Sequence, residues 1–264
     1  MTTPILMIGA GRMGGAMLEG WRKAGAYDPH DVLLIDPHPG EAAMAAAAAG
    51  AALNPGPDAL AAVSTVLVAV KPQLWREAAA AVAPHLSEGA VIVSIAAGVR
   101  TADLAAVFAR PVARVMPTTA VSIRKGVATL YAETARARAA AHALFDAVAT
   151  VVAVEDEALI DAATAVSGSA PAYLYAFIEA LEAAGEGVGL PRATAETLAR
   201  ATLIGAAALL EQTGEEPSEL RRQVTSPGGT TAAALKVLMG EGGLDPLLRD
   251  AVQAAVRRAG ELAG

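Results

Sequence analysis

Two hydrophobic patterns divide this chain. Up to residue 154, short apolar runs alternate with stretches of helical periodicity. The runs at 5–8, 32–35, 63–70, 91–95, 112–116, 127–131 and 150–154 have the length of strands. Between them the spacing predicts a helix through Met17, Leu18 and Trp21, stopped by Gly25, and further helices over 42–49, 74–82, 102–108 and 135–149. The strand runs are apolar throughout, which predicts a parallel sheet covered on both faces. Beyond Glu155 no strand run occurs. Ala158, Leu159, Ala162, Ala163 and Val166 repeat at helical spacing, and residues 167–171 interrupt them. Pro171 suits the first turn of a new helix reaching Ala184. Four more helices are predicted over 191–212, 217–224, 231–239 and 244–262. The expectation is an α/β protein: a nucleotide-binding parallel sheet over 1–155, then an all-α domain over 156–264. Residues 193–210 carry few charges and are apolar on more than one face, so they need cover on more than one side. A second copy of the chain is the expected cover, with a homodimer as the minimum.

Composition narrows the partners. The 264 residues are 54% hydrophobic and 18% charged, enough apolar material for a sizeable core. Alanine dominates and aromatics are 3%, which suits closely packed helices. A net charge of −7 argues against nucleic acid, since a phosphate-binding surface needs a basic excess. Cysteine is absent, which excludes disulfides, thiolate chemistry and cysteine zinc sites; no metal site is expected. No basic segment precedes an apolar stretch at the N-terminus, so no signal peptide is expected. Apolar runs are broken before the ~18–20 residues of a membrane span. A soluble, cytoplasmic protein acting on a small molecule is the expectation.

The first apolar run breaks into Gly9-Ala10-Gly11-Arg12-Met13-Gly14, and the second ends at Asp36, 22 residues after Gly14. Strand, G-x-G-x-x-G, helix, strand and acid in that order point to a dinucleotide. The glycines allow a tight turn, close approach of a pyrophosphate and close helix–strand packing. Ligands of parallel sheets bind beyond the carboxyl ends of the strands. Residues 69–72, 95–97 and 116–119 should therefore share a rim with the glycine turn. An acid placed like Asp36 favours NAD over NADP by binding the ribose 2′-hydroxyl; the lesser alternative is a turn residue before Pro37. Arg12, in the glycine turn, and His38, two residues on, could offset its charge.

The helical half carries Thr225-Ser-Pro-Gly-Gly-Thr-Thr231 between two helical patterns. Pro227 ends the first of them, and Thr230 or Thr231 can cap the second. Such a turn offers bare amides and hydroxyls to a carboxylate or phosphate, but it is also what any ordinary helix–helix loop can look like. This half has no histidine, and no lysine lies between Gly126 and Leu235. An alcohol dehydrogenase usually needs such a group for the hydroxyl proton. Hydroxyls and amides suit a substrate that already carries its proton, such as a protonated imine.

Together these motifs resemble the pyrroline-5-carboxylate reductases. The similarity rests on Gly9–Gly14, Ala69-Val-Lys-Pro72, Val93-Ser-Ile-Ala-Ala-Gly98, Arg114-Val-Met-Pro117, residues 161–173, Gly189-Leu-Pro-Arg192 and residues 220–231. The resemblance implies a Rossmann-type domain joined to a helical domain that intertwines with its twin, commonly in a decamer of five dimers. It implies hydride transfer from NAD(P)H to the C=N carbon of 1-pyrroline-5-carboxylate, giving L-proline. Ile8, Gly9, Ala10, Gly11, Arg12, Met13, Asp36, Ala69, Val70, Lys71, Pro72, Ile95, Ala96 and Ala97 would line the cofactor. Ser226, Gly229 and Thr230 would hold the substrate carboxylate, Gln223 would stand at the edge, and Thr231 would bond the ring nitrogen as the catalytic residue.

Three departures stand out. Thr118 and Ala120 replace the usual asparagine and proline of that loop, and Ala170 replaces a common glycine. Asp36 stands where the family often has a small hydroxyl residue, which makes NADH possible beside NADPH. Related imine reductases and β-hydroxyacid dehydrogenases share the opening motif. The latter use a lysine on the interdomain helix, which residues 156–184 lack. A protein that only senses NAD(P) is a further alternative, but nothing in the sequence offers a partner-binding tail.

Overall fold

The computed structural model describes residues 3–263, so the outermost positions of the two expected domains lie outside it. Two compact units result: residues up to 168 with the last helix from 256 onward, and residues 169–255.

The first unit runs β1 Ile5–Ile8, α1 Arg12–Ala24, β2 Val32–Ile35, α2 Glu41–Ala48, β3 Ala52–Leu53, β4 Thr65–Val68, α3 Trp75–Val82, β5 Val91–Ser94, α4 Thr101–Phe108, β6 Val112–Pro117, β7 Gly126–Ala132, α5 Ala135–Phe145, β8 Ala149–Ala153 and α6 Leu159–Ser167. The strands form one sheet in the order β3-β2-β1-β4-β5-β6-β7-β8. The chain leaves β1 in one direction and returns to β4 on its other side, so the strand order reverses there, as in dinucleotide-binding folds. The sheet is not wholly parallel as expected: β7 runs antiparallel to β6. Only a short 3-10 turn, Thr119–Ile123, links them, and a parallel return needs a crossover of a dozen or more residues. β3 escaped notice because two residues show no periodicity.

Alternate residues of β1 enter two cores. Ile5 and Met7 face one side with Met17, Trp21 and Phe145, whereas Leu6 and Ile8 face the other with Trp75, Leu104 and Phe108. Both faces are thus covered, which is why the strands read as unbroken apolar runs. The Trp21 Nε1–H donates to the Leu144 carbonyl at 2.7 Å, so burying this indole leaves no donor unpaired.

One charged residue interrupts the apolar strands. Arg114 on β6 is 3% exposed. Its guanidinium reaches Glu157 Oε1 at 3.4 Å and Asp161 Oδ1 at 3.0 Å. Glu157 also accepts from the Thr101 amide and hydroxyl, both at 2.9 Å. The network fastens the starts of α4 and α6 to the sheet.

The second unit comprises α7 Ala170–Gly187, α8 Arg192–Thr213, α9 Pro217–Gln223, α10 Thr230–Leu238 and most of α11 Leu244–Ala263. Strands are absent among its described residues, as the periodicity predicts. α7 and α8 approach closely where Gly185 meets Ala195: a Cβ on Gly185 would lie 3.0 Å from that of Ala195. Arg200 spans the pair to Glu182 at 2.7 Å. Much of the apolar surface stays open in the single chain: Val188 is 83% exposed, Val237 76% and Ile204 69%. α8 is long and apolar enough to cross a membrane by length and composition. It nevertheless carries Arg192, Glu196 and Arg200, with Arg192 paired to Glu196 at 2.9 Å.

Candidate functional site

The glycine turn is built by close contact. Gly9 has φ +90°, and a Cβ there would meet the Val70 amide nitrogen at 2.9 Å. Gly14 packs tighter still, since its Cβ would lie 2.4 Å from the Gly9 carbonyl oxygen. Above Gly11, by contrast, a Cβ would meet nothing within 4 Å. Gly11 is also the N-cap of α1, which has no side-chain cap and no acid in its first turn. The positive N-terminal end of α1 is therefore left without a side-chain cap, with room above Gly11, a fit for a pyrophosphate.

Backbone bonds bring the ends of the neighbouring strands beside this turn. The Gly9 amide donates to the Ile35 carbonyl and the Ala69 amide to the Ile8 carbonyl, both at 2.8 Å, and the Ile95 amide donates to the Val68 carbonyl at 3.0 Å. These bonds align the ends of β2, β1, β4 and β5. Ile8, Ala10, Ile95 and Ala96 are buried, so they offer backbone rather than side chain, while Arg12, Lys71 and Ala97 are exposed. Met13, Val70 and Pro72 are intermediate. Thr118, in the departing loop, is used internally: its hydroxyl accepts from the Val127 amide at 3.0 Å, and its own amide donates to the Val127 carbonyl at 2.9 Å.

Asp36 ends β2 as predicted, but both of its carboxylate oxygens hold backbone. Oδ2 accepts from the Ala10 amide at 2.7 Å and Oδ1 from the His38 amide at 2.8 Å. Asp36 thus serves the turn before Pro37, as the sequence allowed, and also joins that loop to the glycine turn, a link that sequence spacing did not suggest. Asn54, also missed, bonds the backbone of Asp36 on both sides, through its Oδ1 and Nδ2 at 2.9 Å each. The available signal was an asparagine ahead of Pro55-Gly56, a turn cluster.

The substrate candidates Gln223, Ser226, Gly229, Thr230 and Thr231 all lie in the second unit, at the junction of α9 and α10. Gly228 has φ +69° and turns the chain. Neither threonine caps α10, contrary to expectation. Gly229 is the N-cap with no side-chain cap bond, and Thr230 and Thr231 are the first two helical residues. The physical reason is the turn: the Gly229 amide closes it onto the Ser226 carbonyl at 3.1 Å, which starts the helix one step earlier. The Ser226 hydroxyl lies against this end, 2.5 Å from where a Gly229 Cβ would stand. Thr231 is half-buried in the first turn. Gln223 is turned back toward the start of its helix: its amide donates to Glu215, just ahead of α9, at 2.6 Å and to Glu219 at 3.3 Å. The Arg222 guanidinium, followed by the Gln223 amide, holds the Glu219 carboxyl below its usual range. The arrangement is an uncapped helix N-terminus with a hydroxyl on its rim, able to bind an anion.

Two family models match the chain. Residues 157–262 match pyrroline-5-carboxylate reductase dimerisation, and residues 4–98 match NADP oxidoreductase coenzyme F420-dependent. The pyrroline-5-carboxylate reductase of Pseudomonas aeruginosa is 41% identical, with 100% of this chain and 98% of that protein covered. That of Synechocystis is 37% identical, with 99% of each covered. Among solved structures, a pyrroline-5-carboxylate reductase from Coxiella burnetii is 34% identical over 100% of both chains, with a TM-score of 0.91.

Proposed function

The chain belongs to the pyrroline-5-carboxylate reductase family, and from that premise we propose how its parts divide the work. It is an NAD(P)H-dependent oxidoreductase of proline biosynthesis that reduces the C=N bond of 1-pyrroline-5-carboxylate to L-proline. It acts as a homo-oligomer.

In our reading residues 1–155 hold the cofactor, and residues 156–264 form the dimer and hold the substrate. The dimerisation match beginning at residue 157 supports this division. When bound, the reduced nicotinamide supplies the hydride. The open space at Gly11 and the uncapped amides of α1 receive the pyrophosphate, and the rim at Ala69–Pro72 and Ile95–Ala97 lines the nicotinamide side. NADPH is used, and NADH is accepted unusually well because the Asp36 carboxylate at the end of β2 faces the adenosine ribose and repels a 2′-phosphate. The NADP-bound relative from Plasmodium falciparum shares this fold.

The observation that carries the substrate assignment is the uncapped N-terminus of α10 with Ser226 Oγ against Gly229. Ser226 and the amides at Gly229 and Thr230 hold the carboxylate of the imine. Thr231, one residue into the helix, donates or accepts at the ring nitrogen and orients the C=N carbon. A threonine hydroxyl is too weak an acid to be tuned far, so the nitrogen arrives protonated or takes its proton from water. Gln223 borders the pocket, steadied by Glu215 and Glu219. Two copies intertwine through α7 and α8, and five such dimers complete a decamer. The ion-paired α8, inside the matched dimerisation region, supports a soluble cytoplasmic enzyme rather than a membrane-bound one.

Oxidation of NADPH and of NADH with 1-pyrroline-5-carboxylate tests the activity. Turnover only with a 3-hydroxyacid would place the enzyme with the hydroxyacid dehydrogenases, and binding without turnover would make it a sensor.

A further inference from the structure

Asn54 stands just past β3, a two-residue edge strand, and is held at φ +48°. Side chains rarely take this conformation, and asparagine tolerates it better than most. Its amide nitrogen donates to the Leu34 carbonyl at 2.7 Å, continuing the β2–β3 ladder by one bond. Its side chain then takes over from the ladder. Oδ1 accepts from the Asp36 amide, and Nδ2 donates to the Asp36 carbonyl, each at 2.9 Å. A carboxamide carries one acceptor and a pair of donors side by side, so it can bracket one residue's backbone on both sides as a neighbouring strand would. β3 is too short to supply that pairing itself.

Asp36 is thereby fixed before its own carboxylate acts. With the backbone clamped, the carboxylate reaches Ala10 in the glycine turn at 2.7 Å and His38 at 2.8 Å. The relay runs from Asn54 to Asp36 to the turn that receives the pyrophosphate. Asp36 is half-buried and Asn54 exposed, so the relay reaches from the edge of the sheet to the rim.

We infer that Asn54 is a positioning residue for cofactor discrimination: it holds Asp36 where its charge meets the adenosine ribose, and so sets how strongly a 2′-phosphate is refused. The inference rests on the reading of Asp36 as facing that ribose. Without the clamp, the carboxylate swings away and the 2′-phosphate is tolerated better.

Direct binding of NADPH and NADH, without substrate, measures the effect by calorimetry. Asn54→Gly removes the side chain while keeping a residue at ease with positive φ, so folding should hold. Asp36→Ser should shift the ratio of the two Kd values toward NADPH about tenfold. Asn54→Gly should shift it the same way by roughly threefold, the scale of one or two exposed hydrogen bonds. In the double variant Asn54→Gly should add nothing, because its effect passes through Asp36. An unchanged ratio in Asp36→Ser would remove the reading of Asp36, and Asn54 with it. A shifted ratio in Asp36→Ser with an unchanged one in Asn54→Gly would overturn the Asn54 assignment alone. Equal weakening of both cofactors by Asn54→Gly, with a lower Tm, would reduce Asn54 to a purely structural residue. A shift that persists in the Asp36→Ser background would show action independent of Asp36 and also overturn it.

Discussion

The two units use helix N-termini alike and burial oppositely. α1 and α10 both start at an uncapped glycine, Gly11 and Gly229. Around Gly11 the sheet supplies a finished frame of buried strands and close glycine contacts. Around Gly229 the loop is largely exposed, and among the described residues of 169–255 only Ala195 and Ala199 are buried hydrophobics. The same local device therefore sits in a self-sufficient core in one unit and on an unfinished one in the other. A helical layer that leaves Val188, Ile204 and Val237 open in the single chain gains little hydrophobic stabilisation from them. The sheet unit covers its apolar faces within one chain, whereas the helical unit leaves such a face for a second copy, as a homo-oligomer supplies.

The largest effect concerns assembly. Light scattering at micromolar concentration should find no folded monomer. A stable, fully helical monomer would break the comparison outright.

Next is chemistry on the unfinished side. Thr231→Ala should lower kcat/KM by ~10²–10³, the scale for losing one well-placed polar contact, and Thr231→Ser should keep much of the activity. Cofactor affinity should hardly change. Because Gly229 is the cap, Thr231→Ala should also lose less than the ~1 kcal/mol of a lost N-cap. Activity within about threefold of the parent, measured with Tm on one sample, would remove Thr231 from the mechanism.

The sheet side can be tested through Arg114. Arg114→Met strands Glu157 and Asp161 without their cation, and breaking a buried pair costs about 3–5 kcal/mol. Since both acids keep some water, the low end of that range, about 3 kcal/mol, is expected from denaturant titration. A loss below ~1 kcal/mol, as for surface pairs, would mean the network is ornamental.

The smallest effects separate frame from cradle. Gly14→Ala drives a Cβ against the Gly9 carbonyl and should lower stability by about 1–3 kcal/mol. Gly11→Ala meets no neighbour and should lower Tm less than Gly14→Ala, by the cost of a poorer N-cap alone, while raising the KM for both cofactors. Unchanged cofactor KM in Gly11→Ala would mean the space above Gly11 is not where the pyrophosphate lies.

Periodicity and punctuation by themselves determined a great deal. Apolar runs such as 5–8 and 91–95 had to be strands buried on both faces, and Gly9-x-Gly11-x-x-Gly14 had to be a turn. The absence of strands after 155 and the bare turn at Ser226–Gly229 were equally legible, because each depends on a few adjacent residues. The relations among distant residues were not legible. The reversal of β7 was set by the length of one link, and the start of α10 at Gly229 by a backbone bond to Ser226. The pairing of Arg114 with acids 43 and 47 positions away, and the clamp of Asn54 on Asp36 across 18, arise only when strands and helices are brought together. Sequence decides which local conformations are cheap. Which polar groups then satisfy one another is decided by tertiary packing, since a buried or half-buried donor must take whatever partner the fold puts within about 3 Å of it.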